Sequence, residues 1–310
     1  TSQLAMAEAF AESASGKLRF DVTPKRWYFW TGTIWDSNDL IESNARNFAA
    51  KIARQTADNC VATDSQRRLL LSEKSVSAIV RIARDHTDIA VSSDVWDIVP
   101  SLIGTPGGTV DLRTGELRSG NAAEGITRST RIAPGGNCPL WLNLIGHISG
   151  GDTTVARFLQ QWAGYSLSGE TREQSLLCIC GESGSGKSTF VETLGSIFGT
   201  YAINVPAEVL LRSRNERHST EIARLNGPHF AYSSETTEGR TWNDGLIKRL
   251  TGNDSITARL LYRDDFTFKP RMSLTLVMNS VPALADVDNA IRRRFNVLRI
   301  DHKVEGGDST

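Results

Sequence analysis

One stretch of the chain combines the residue types and the spacing that hold phosphate groups. It fits the pattern G-x-x-x-x-G-K-[ST] at every required position and consists of Gly181, Glu182, Ser183, Gly184, Ser185, Gly186, Lys187, Ser188 and Thr189. Glycines let backbone N–H groups turn toward phosphate oxygens without a Cβ in the way. Lys187 brings a positive charge to the β- and γ-phosphates, and the Ser188 hydroxyl is a ligand for Mg²⁺. We predict that this loop binds a nucleoside triphosphate with Mg²⁺; a glycine-rich turn without a ligand is the alternative.

A carboxylate that activates water is expected at the end of a neighbouring strand. The apolar run 229–233 leads through Ser234 to Glu235. We assign Glu235 as the general base for hydrolysis and, with Ser188, as a metal ligand. An ordinary glutamate at a strand end is the alternative. Ser234 stands where many ATPases with this loop have an acid.

Two further groups have the chemistry to act on a γ-phosphate. The run 273–278 ends at Asn279, whose amide is suited to sense the phosphate and help to place the water. Arg292, Arg293 and Arg294 follow one another after a short predicted helix, and an arginine supplied in trans stabilises the charge of a transferring phosphoryl group. A solvated basic helix end is the other interpretation of this run.

The elements that position these groups are predicted from hydrophobic periodicity. Strand-like runs at 175–180, 229–233 and 273–278 alternate with helical patterns at 155–165, 190–198 and 242–250. This alternation favours an α/β fold with a largely parallel sheet, and with the phosphate loop it indicates a P-loop NTPase core. Cys178 and Cys180 lie on the strand before the loop, and we interpret them as core residues.

The first half of the chain has a mixed pattern. We predict strands at 26–30 and 33–35, helices at 40–58 and 75–86, and a strand–turn–strand unit at 109–118. The aromatic residues between Trp27 and Trp35 are interpreted as core side chains rather than as a base-stacking site. A glycine-rich loop at 149–152 marks the predicted boundary between a smaller α+β domain, residues 1–149, and the ATPase domain, residues 150–310.

Composition excludes several classes of protein. The chain has 35 Lys+Arg and 35 Asp+Glu residues, so its formal net charge is zero, and a histone-like basic coat is excluded. No apolar run has the length of a membrane helix. The four cysteines are too few and too scattered for a disulfide framework, and the histidines show no metal-ligand spacing. We expect a cytoplasmic location. Because the sequence begins at Thr1 rather than at a methionine, we also expect it to be part of a longer chain.

Taken together, the motifs resemble those of superfamily 3 helicases, especially the phage and plasmid primase–helicase branch that is similar to the poxvirus primase-helicase. The order is the phosphate loop, the acidic strand end, Lys248 with Thr251-Gly252-Asn253-Asp254 and Arg259, the segment Phe266–Pro270, Asn279 and the arginine run. Upstream, the segments 108–117 and 138–141 are similar to signatures of the domain that precedes the helicase. The resemblance covers about residues 20–300.

This resemblance implies that the P-loop NTPase core is of the AAA+-like type. It also implies a hexameric ring that hydrolyses ATP between subunits and moves on single-stranded or forked DNA. It places Arg294, or Arg293 as second choice, at the position that reaches into the neighbour's site. DNA would pass a hairpin at 256–270 whose tip is 262–265, with phosphate contacts at Lys248, Arg259, Arg263 and Lys269. Residues 247–300 hold ten Lys+Arg and five Asp+Glu.

The family also implies a primase module in the full-length chain. Two alternatives stay open: an AAA+ ATPase that remodels or loads protein partners, and a P-loop kinase of a small molecule.

Overall fold

The structure is a computed structural model that describes residues 2–38, 40–59, 63–211, 219–233, 242–260, 264–279 and 289–301. The chain divides into two compact units, Thr1–Arg128 and Ser129–Thr310. No helix in the described part of the chain has both the length and the apolar character of a membrane span.

The first unit combines helices with two small sheets. Its elements in chain order are α1 Gln3–Ala14, β1 Leu18–Asp21, β2 Arg26–Trp30, β3 Trp35–Asp36, α2 Ile41–Asn59, α3 Asp64–Leu70, α4 Glu73–Ala83, β4 Ala90–Val91, β5 Leu102–Thr105, β6 Gly108–Asp111 and β7 Glu116–Arg118. The sheets have the strand orders β3-β2-β1-β4 and β5-β6-β7. Only the β1–β4 pair is parallel.

Alternation along β2 decides which aromatic side chains enter the core of the first unit. Trp27 is 3% exposed and packs with Phe10 and Phe20 at ring distances of 6.1 and 5.1 Å. The next residue, Tyr28, points to the other face because side chains alternate along a strand, and it stacks on Trp96 at 4.4 Å. These rings therefore pack mainly against one another, which agrees with the predicted core role.

The second unit is built on a five-stranded sheet. Its elements are α5 Pro139–Ile148, α6 Thr153–Ser168, β8 Leu176–Gly181, α7 Lys187–Phe198, β9 Ala202–Asn204, α8 Ser219–Ala223, β10 Phe230–Ser233, α9 Asp244–Thr251, β11 Ile256–Arg259, β12 Asp265–Phe268, β13 Ser273–Met278, α10 Asn289–Arg292 and β14 Phe295–Ile300. The strand order is β14-β8-β13-β10-β9, and every pair is parallel.

The central strands β8 and β13 explain why this sheet is parallel. Every residue of β13 is buried, and so are all residues of β8 before its last. Continuous apolar runs of this kind are typical of parallel strands that are covered on both faces. The α/β fold class and the smaller mixed domain predicted from the sequence are confirmed.

The segment between residues 129 and 150 belongs to the second unit. The N–H of Arg131 donates to the Ile197 carbonyl at 2.9 Å, and the N–H of Thr200 donates to the Ser129 carbonyl at 3.0 Å. The glycine-rich loop at 149–152, where the sequence predicts the boundary, joins α5 to α6, and the domain boundary stays a prediction. Gly150 and Gly151 have φ of +59° and +78° there, values that suit a tight turn between helices.

Candidate nucleotide-binding site

The phosphate loop lies where the carboxyl ends of the parallel strands meet. It joins β8 to α7, and β13 runs beside β8 with Met278 opposite Cys180. Asn279, the residue after β13, therefore lies at the same edge as the loop. Together they enclose a cavity of about 460 Å³, whose described lining residues are Ser183–Thr189 and Val277–Asn279. The structure thus brings the predicted loop and the predicted amide into one cavity.

Two glycines give the loop its cradle shape. Gly184 and Gly186 have φ of +82° and +84°, in the region that a Cβ makes unfavourable. Gly186 is the N-cap of α7, so the unpaired N–H groups and the positive end of the helix dipole face the loop. This arrangement is suited to bind an anion. Ser188 and Thr189 are exposed on the first turn of α7 and line the same cavity.

Lys187 is folded onto the loop itself. Its side chain is buried, and its Nζ donates to the carbonyls of Gly181 and Glu182 at 2.8 and 2.6 Å and to the Ser185 hydroxyl at 3.1 Å. Burial lowers the pKa of this ammonium group. All three of its N–H donors are aimed at loop oxygens. A bound phosphate would compete with those oxygens for the same donors.

The strand before the loop is held rigidly by its neighbours. Cys178 and Cys180 are buried, and burial raises the pKa of both thiols, which fits their predicted place in the core. A Cβ built on Gly181 would lie 2.3 Å from the Ile300 carbonyl of β14. On β13 the Thr275 hydroxyl accepts a buried hydrogen bond of 2.8 Å from the Trp162 indole.

Glu235, the predicted base and metal ligand, lies outside the described residues, which stop at Ser233 and resume at Trp242. In the part of the chain that the structure describes, no group of three or more His, Cys, Asp or Glu residues is placed to hold a metal ion. The hydroxyl of Ser188, the predicted ligand of Mg²⁺, is exposed and lines the cavity.

The arginine run lies at the opposite edge of the sheet from the phosphate loop. Phe295 pairs with Leu176 at the start of β8, and Ile300 pairs with Gly181 at its end. At about 3.3 Å per residue, these two positions are about 17 Å apart along the strand. The exposed residues Arg292 and Arg293 come just before Phe295 and therefore lie toward the end of β8 that is far from the loop of their own chain.

Arg294 differs from its neighbours because it is buried. It is 8% exposed, and its Nη1 donates to the Ala290 carbonyl at 2.6 Å while Nη2 donates to Oε1 of Gln174 at 3.4 Å. Its backbone carbonyl accepts from the N–H of Leu176 at 2.7 Å. The residue predicted first for the finger position is thus bound within its own unit, whereas the second choice, Arg293, is exposed.

The predicted hairpin is present as the antiparallel pair β11–β12, with Ile256 opposite Phe268 and Arg259 opposite Asp265. Its inner face is buried, while Arg259 and Lys269 are exposed. Arg259 lies 3.8 Å from the Asp265 carboxylate, which offsets part of its charge. Of the other predicted DNA contacts, Lys248 lies half-buried in the last turn of α9, and Arg263 lies outside the described residues.

The sequence analysis did not predict that helix α5 lies beside the phosphate loop. Leu144 lies 3.1 Å and Ile148 3.6 Å from a Cβ built on Gly186, and Trp141 stacks on Phe190 of α7 with ring centroids 5.4 Å apart. The spacing of Trp141, Leu144 and Ile148, one helix face, is the signal that predicts this contact.

The parallel sheet and the glycine–lysine loop at its carboxyl edge define an α/β protein with a candidate phosphate-binding site. Residues 7–150 match a family model described as "D5 N terminal like", and residues 179–294 match a "Family of unknown function (DUF5906)". The first match spans both the first unit and the segment 129–150.

The chain is also similar in sequence to individual viral proteins. A putative helicase of Acanthamoeba polyphaga mimivirus is 29% identical over 206 residues, which are 64% of this chain and 21% of the relative. A putative helicase of Frog virus 3 (isolate Goorha) is 29% identical over 153 residues, 47% of this chain and 16% of the relative. The chain thus corresponds to about a fifth or less of these relatives.

A solved structure shares the fold. The apo C-terminal region of NrS-1 superposes with a TM-score of 0.55 at 12% identity, over 99% of this chain and 64% of that one. The comparisons confirm the resemblance that the sequence motifs indicated: the chain has a D5 N-terminal-like region and is similar to viral putative helicases.

Proposed function

We propose that this chain is part of an ATP-dependent DNA helicase or translocase of the superfamily 3 type, which acts in the replication of a phage, plasmid or other mobile element. The observation that carries the proposal is the cavity that joins the phosphate loop to Asn279 at the carboxyl edge of the parallel sheet. The similarity to viral putative helicases supports DNA as the track on which it moves.

The loop has the groups to hold the phosphates of ATP. We propose that backbone N–H groups between Gly184 and Ser188 donate to phosphate oxygens, and that Lys187 exchanges its bonds to the loop carbonyls for bonds to the phosphates. We assign the Ser188 hydroxyl as a ligand of Mg²⁺, which when bound would neutralise phosphate charge. Glu235 is the second proposed ligand.

Hydrolysis needs groups on both sides of the γ-phosphate. On one side we assign Glu235 as the base that takes a proton from water, and Asn279 as the amide that orients that water. On the other side an arginine stabilises the charge that develops on the phosphoryl group. We assign this role to Arg293, or to Arg292 beside it, rather than to Arg294, because both are exposed while Arg294 is bound to Ala290 and Gln174.

DNA is proposed to contact the exposed side of the hairpin β11–β12. The basic residues proposed to meet phosphates are Lys248, Arg259, Arg263 and Lys269. The excess of basic over acidic residues in 247–300 is repeated in each copy of a ring, so a neutral chain presents a positive path to one strand.

The test is ATP hydrolysis with and without single-stranded DNA, on protein whose mass is measured by light scattering in the same buffer. We expect DNA to stimulate hydrolysis, Lys187→Ala to abolish nucleotide binding, and Glu235→Gln to bind ATP but hydrolyse it at least about 100-fold more slowly. Normal hydrolysis by Lys187→Ala contradicts the site. Hydrolysis that DNA does not affect, together with failure to unwind a forked duplex, favours the protein remodeller, and a phosphorylated small-molecule product identifies a kinase.

A further inference from the structure

The segment between α6 and β8, residues 169–175, forms a tight turn at the amino ends of the parallel strands. Gln174 has φ of +49°, a left-handed conformation that residues with a Cβ seldom adopt. Its N–H donates to the Thr171 carbonyl at 3.1 Å, and the N–H of Glu173 donates to the Tyr165 hydroxyl of α6 at 3.0 Å. Strained backbone of this kind persists where its surroundings hold it, and it is concentrated at functional segments.

Thr171 joins this turn to the start of the hairpin β11–β12. Its hydroxyl donates to Oδ1 of Asn253 at 2.8 Å, although the two residues are 82 positions apart in the chain. Asn253 lies in the connection between α9 and β11. That connection is closely packed, because a Cβ built on Gly252 would lie 2.7 Å from the Lys248 carbonyl oxygen. A displacement of the hairpin is therefore transmitted to Thr171.

Gln174 joins the same turn to the strands next to the phosphate loop. Its Oε1 accepts from Nη2 of Arg294 at 3.4 Å, and the Arg294 carbonyl accepts from the N–H of Leu176, the first residue of β8, at 2.7 Å. Nε of the buried Arg294 has no hydrogen-bond partner among the described residues. The guanidinium group thus depends on Gln174 and on the Ala290 carbonyl.

Strand β8 connects this turn to the phosphate loop. From Leu176 to Gly181 it spans about 17 Å, and all its residues before the last are buried. It is paired with β13 on one side and with β14 on the other. Closely packed strands shift as units rather than deform continuously. A displacement of the turn is therefore carried to Gly181, where the loop begins.

We propose that Thr171 and Gln174 are positioning residues that couple DNA at the hairpin β11–β12 to nucleotide at the phosphate loop. This inference rests on the proposed function. Neither residue is among the described residues that line the cavity of the loop, and neither belongs to the hairpin. Their loss should therefore change the coupling between the two ligands and leave the binding of each ligand alone intact.

The hairpin also has a covalent route to the loop. Strand β12 leads into β13, and Asn279, which follows β13, lines the cavity. If this second route carried the coupling, changes at Thr171 and Gln174 would have no effect on it. The two routes are therefore distinguished by substitutions in the turn.

The coupling is measured as the factor by which a non-hydrolysable ATP analogue changes the affinity for a labelled single-stranded oligonucleotide, followed by fluorescence anisotropy. Linkage requires that the oligonucleotide changes the affinity for the analogue by the same factor. For the unmodified chain we expect a factor of about five or more.

Two substitutions remove the links and keep the shape of the side chains. Thr171→Val loses the hydroxyl donor, and Gln174→Met loses the acceptor for Arg294. Since one hydrogen bond changes an equilibrium constant by up to about tenfold, we expect each variant to reduce the coupling factor below about two. Because the links act in series, the double variant should lose no more than either single one. Binding of each ligand alone at unchanged affinity shows that the variants are folded.

Matched controls separate the links from the general stability of the turn. Gln174→Glu keeps the acceptor for Arg294 and should keep the coupling. The hydroxyl of Ser168, the last residue of α6, donates to the Tyr165 carbonyl at 2.7 Å and accepts from the N–H of Glu170 at 3.3 Å. Ser168→Ala removes both bonds without changing either link, so the coupling factor should equal that of the unmodified chain.

The other outcomes overturn the proposal. Full coupling in Thr171→Val or in Gln174→Met assigns the coupling to the route through β13, and equal loss of coupling in Ser168→Ala reduces the turn to a structural role. An unmodified chain that binds both ligands without coupling overturns this inference alone. An unmodified chain that fails to bind the oligonucleotide or the analogue overturns the proposed function, and this inference with it.

Discussion

Alanine substitutions at two glycines of the phosphate loop separate folding from binding. At Gly181 a Cβ would lie 2.3 Å from the Ile300 carbonyl, a backbone atom held in the β8–β14 ladder. At Gly184 a Cβ meets nothing within 4 Å, but φ is +82°. We expect Gly181→Ala to lower the stability of the second unit more than Gly184→Ala, and Gly184→Ala to weaken nucleotide binding more directly.

The magnitudes follow from these contacts. Overpacking against a fixed backbone costs about 1–3 kcal/mol, and disrupting a ladder hydrogen bond adds about 1 kcal/mol, so Gly181→Ala should cost about 2–4 kcal/mol. At Gly184 the left-handed backbone costs about 1–2 kcal/mol, and the reduced freedom of the unfolded chain returns about 0.4–1 kcal/mol. The net cost at Gly184 is therefore about 0–1.6 kcal/mol.

Amide hydrogen exchange in β8 measures the opening free energy of this unit, and titration with a fluorescent ATP analogue measures binding. For Gly184→Ala we expect near-normal exchange with affinity at least about tenfold lower, since a methyl group enters the phosphate cradle. If the amides of β8 are as well protected from exchange in Gly181→Ala as they are in Gly184→Ala, the packing argument is refuted.

Three further predictions concern the same unit. Because burial lowers the pKa of Lys187 and phosphate binding favours its charged form, ADP affinity should be constant below that lowered pKa and fall as pH rises through it. Titration calorimetry up to pH 10.5, the ordinary pKa of lysine, measures this fall in ADP affinity. The Lys187→Arg variant should show no such fall over the same pH range. Arg294→Ala should destabilise the unit by about 1.5–3 kcal/mol through the loss of its hydrogen bonds. The double change Arg292→Ala with Arg293→Ala should leave the urea midpoint unchanged and stop hydrolysis. Equal urea midpoints for the two variants would contradict this assignment. Thr275→Val, which removes the acceptor of a buried indole, should cost about 1–3 kcal/mol by urea unfolding, and the exposed Thr257→Val almost nothing.

Much of the second unit could be predicted because its elements carry strong local signals. The strand at 273–278 and the helix at 190–198 are confirmed because apolar runs and helical periodicity reflect burial directly. The strand β14 was not predicted. It follows an arginine run directly, and its residues alternate only weakly between buried and exposed positions. Its place next to β8 depends on pairing across more than a hundred residues, which no local pattern encodes.

The arginine run shows a second limit. Three consecutive arginines are equivalent by type, and only the geometry distinguishes Arg294, bound to Gln174, from its exposed neighbours. The glycines at 150 and 151 show a third limit, because composition alone does not distinguish a turn between two helices from a linker between domains. The roles of Glu235 and Asn279 stay predictions.

The position of β8 in the sheet also determines when the loop becomes ordered as the chain is synthesised. Both ladder partners of β8 come later in the chain: Leu176 pairs with Leu274 of β13 and with Phe295 of β14. Until those strands leave the ribosome, β8 is an apolar strand without its partners, and contacts between such distant residues form slowly. A chain that stops before Phe295 would keep one side of β8 unpaired, which promotes aggregation. The candidate nucleotide site is therefore completed only after Phe295–Ile300 has been made, more than a hundred residues after its loop.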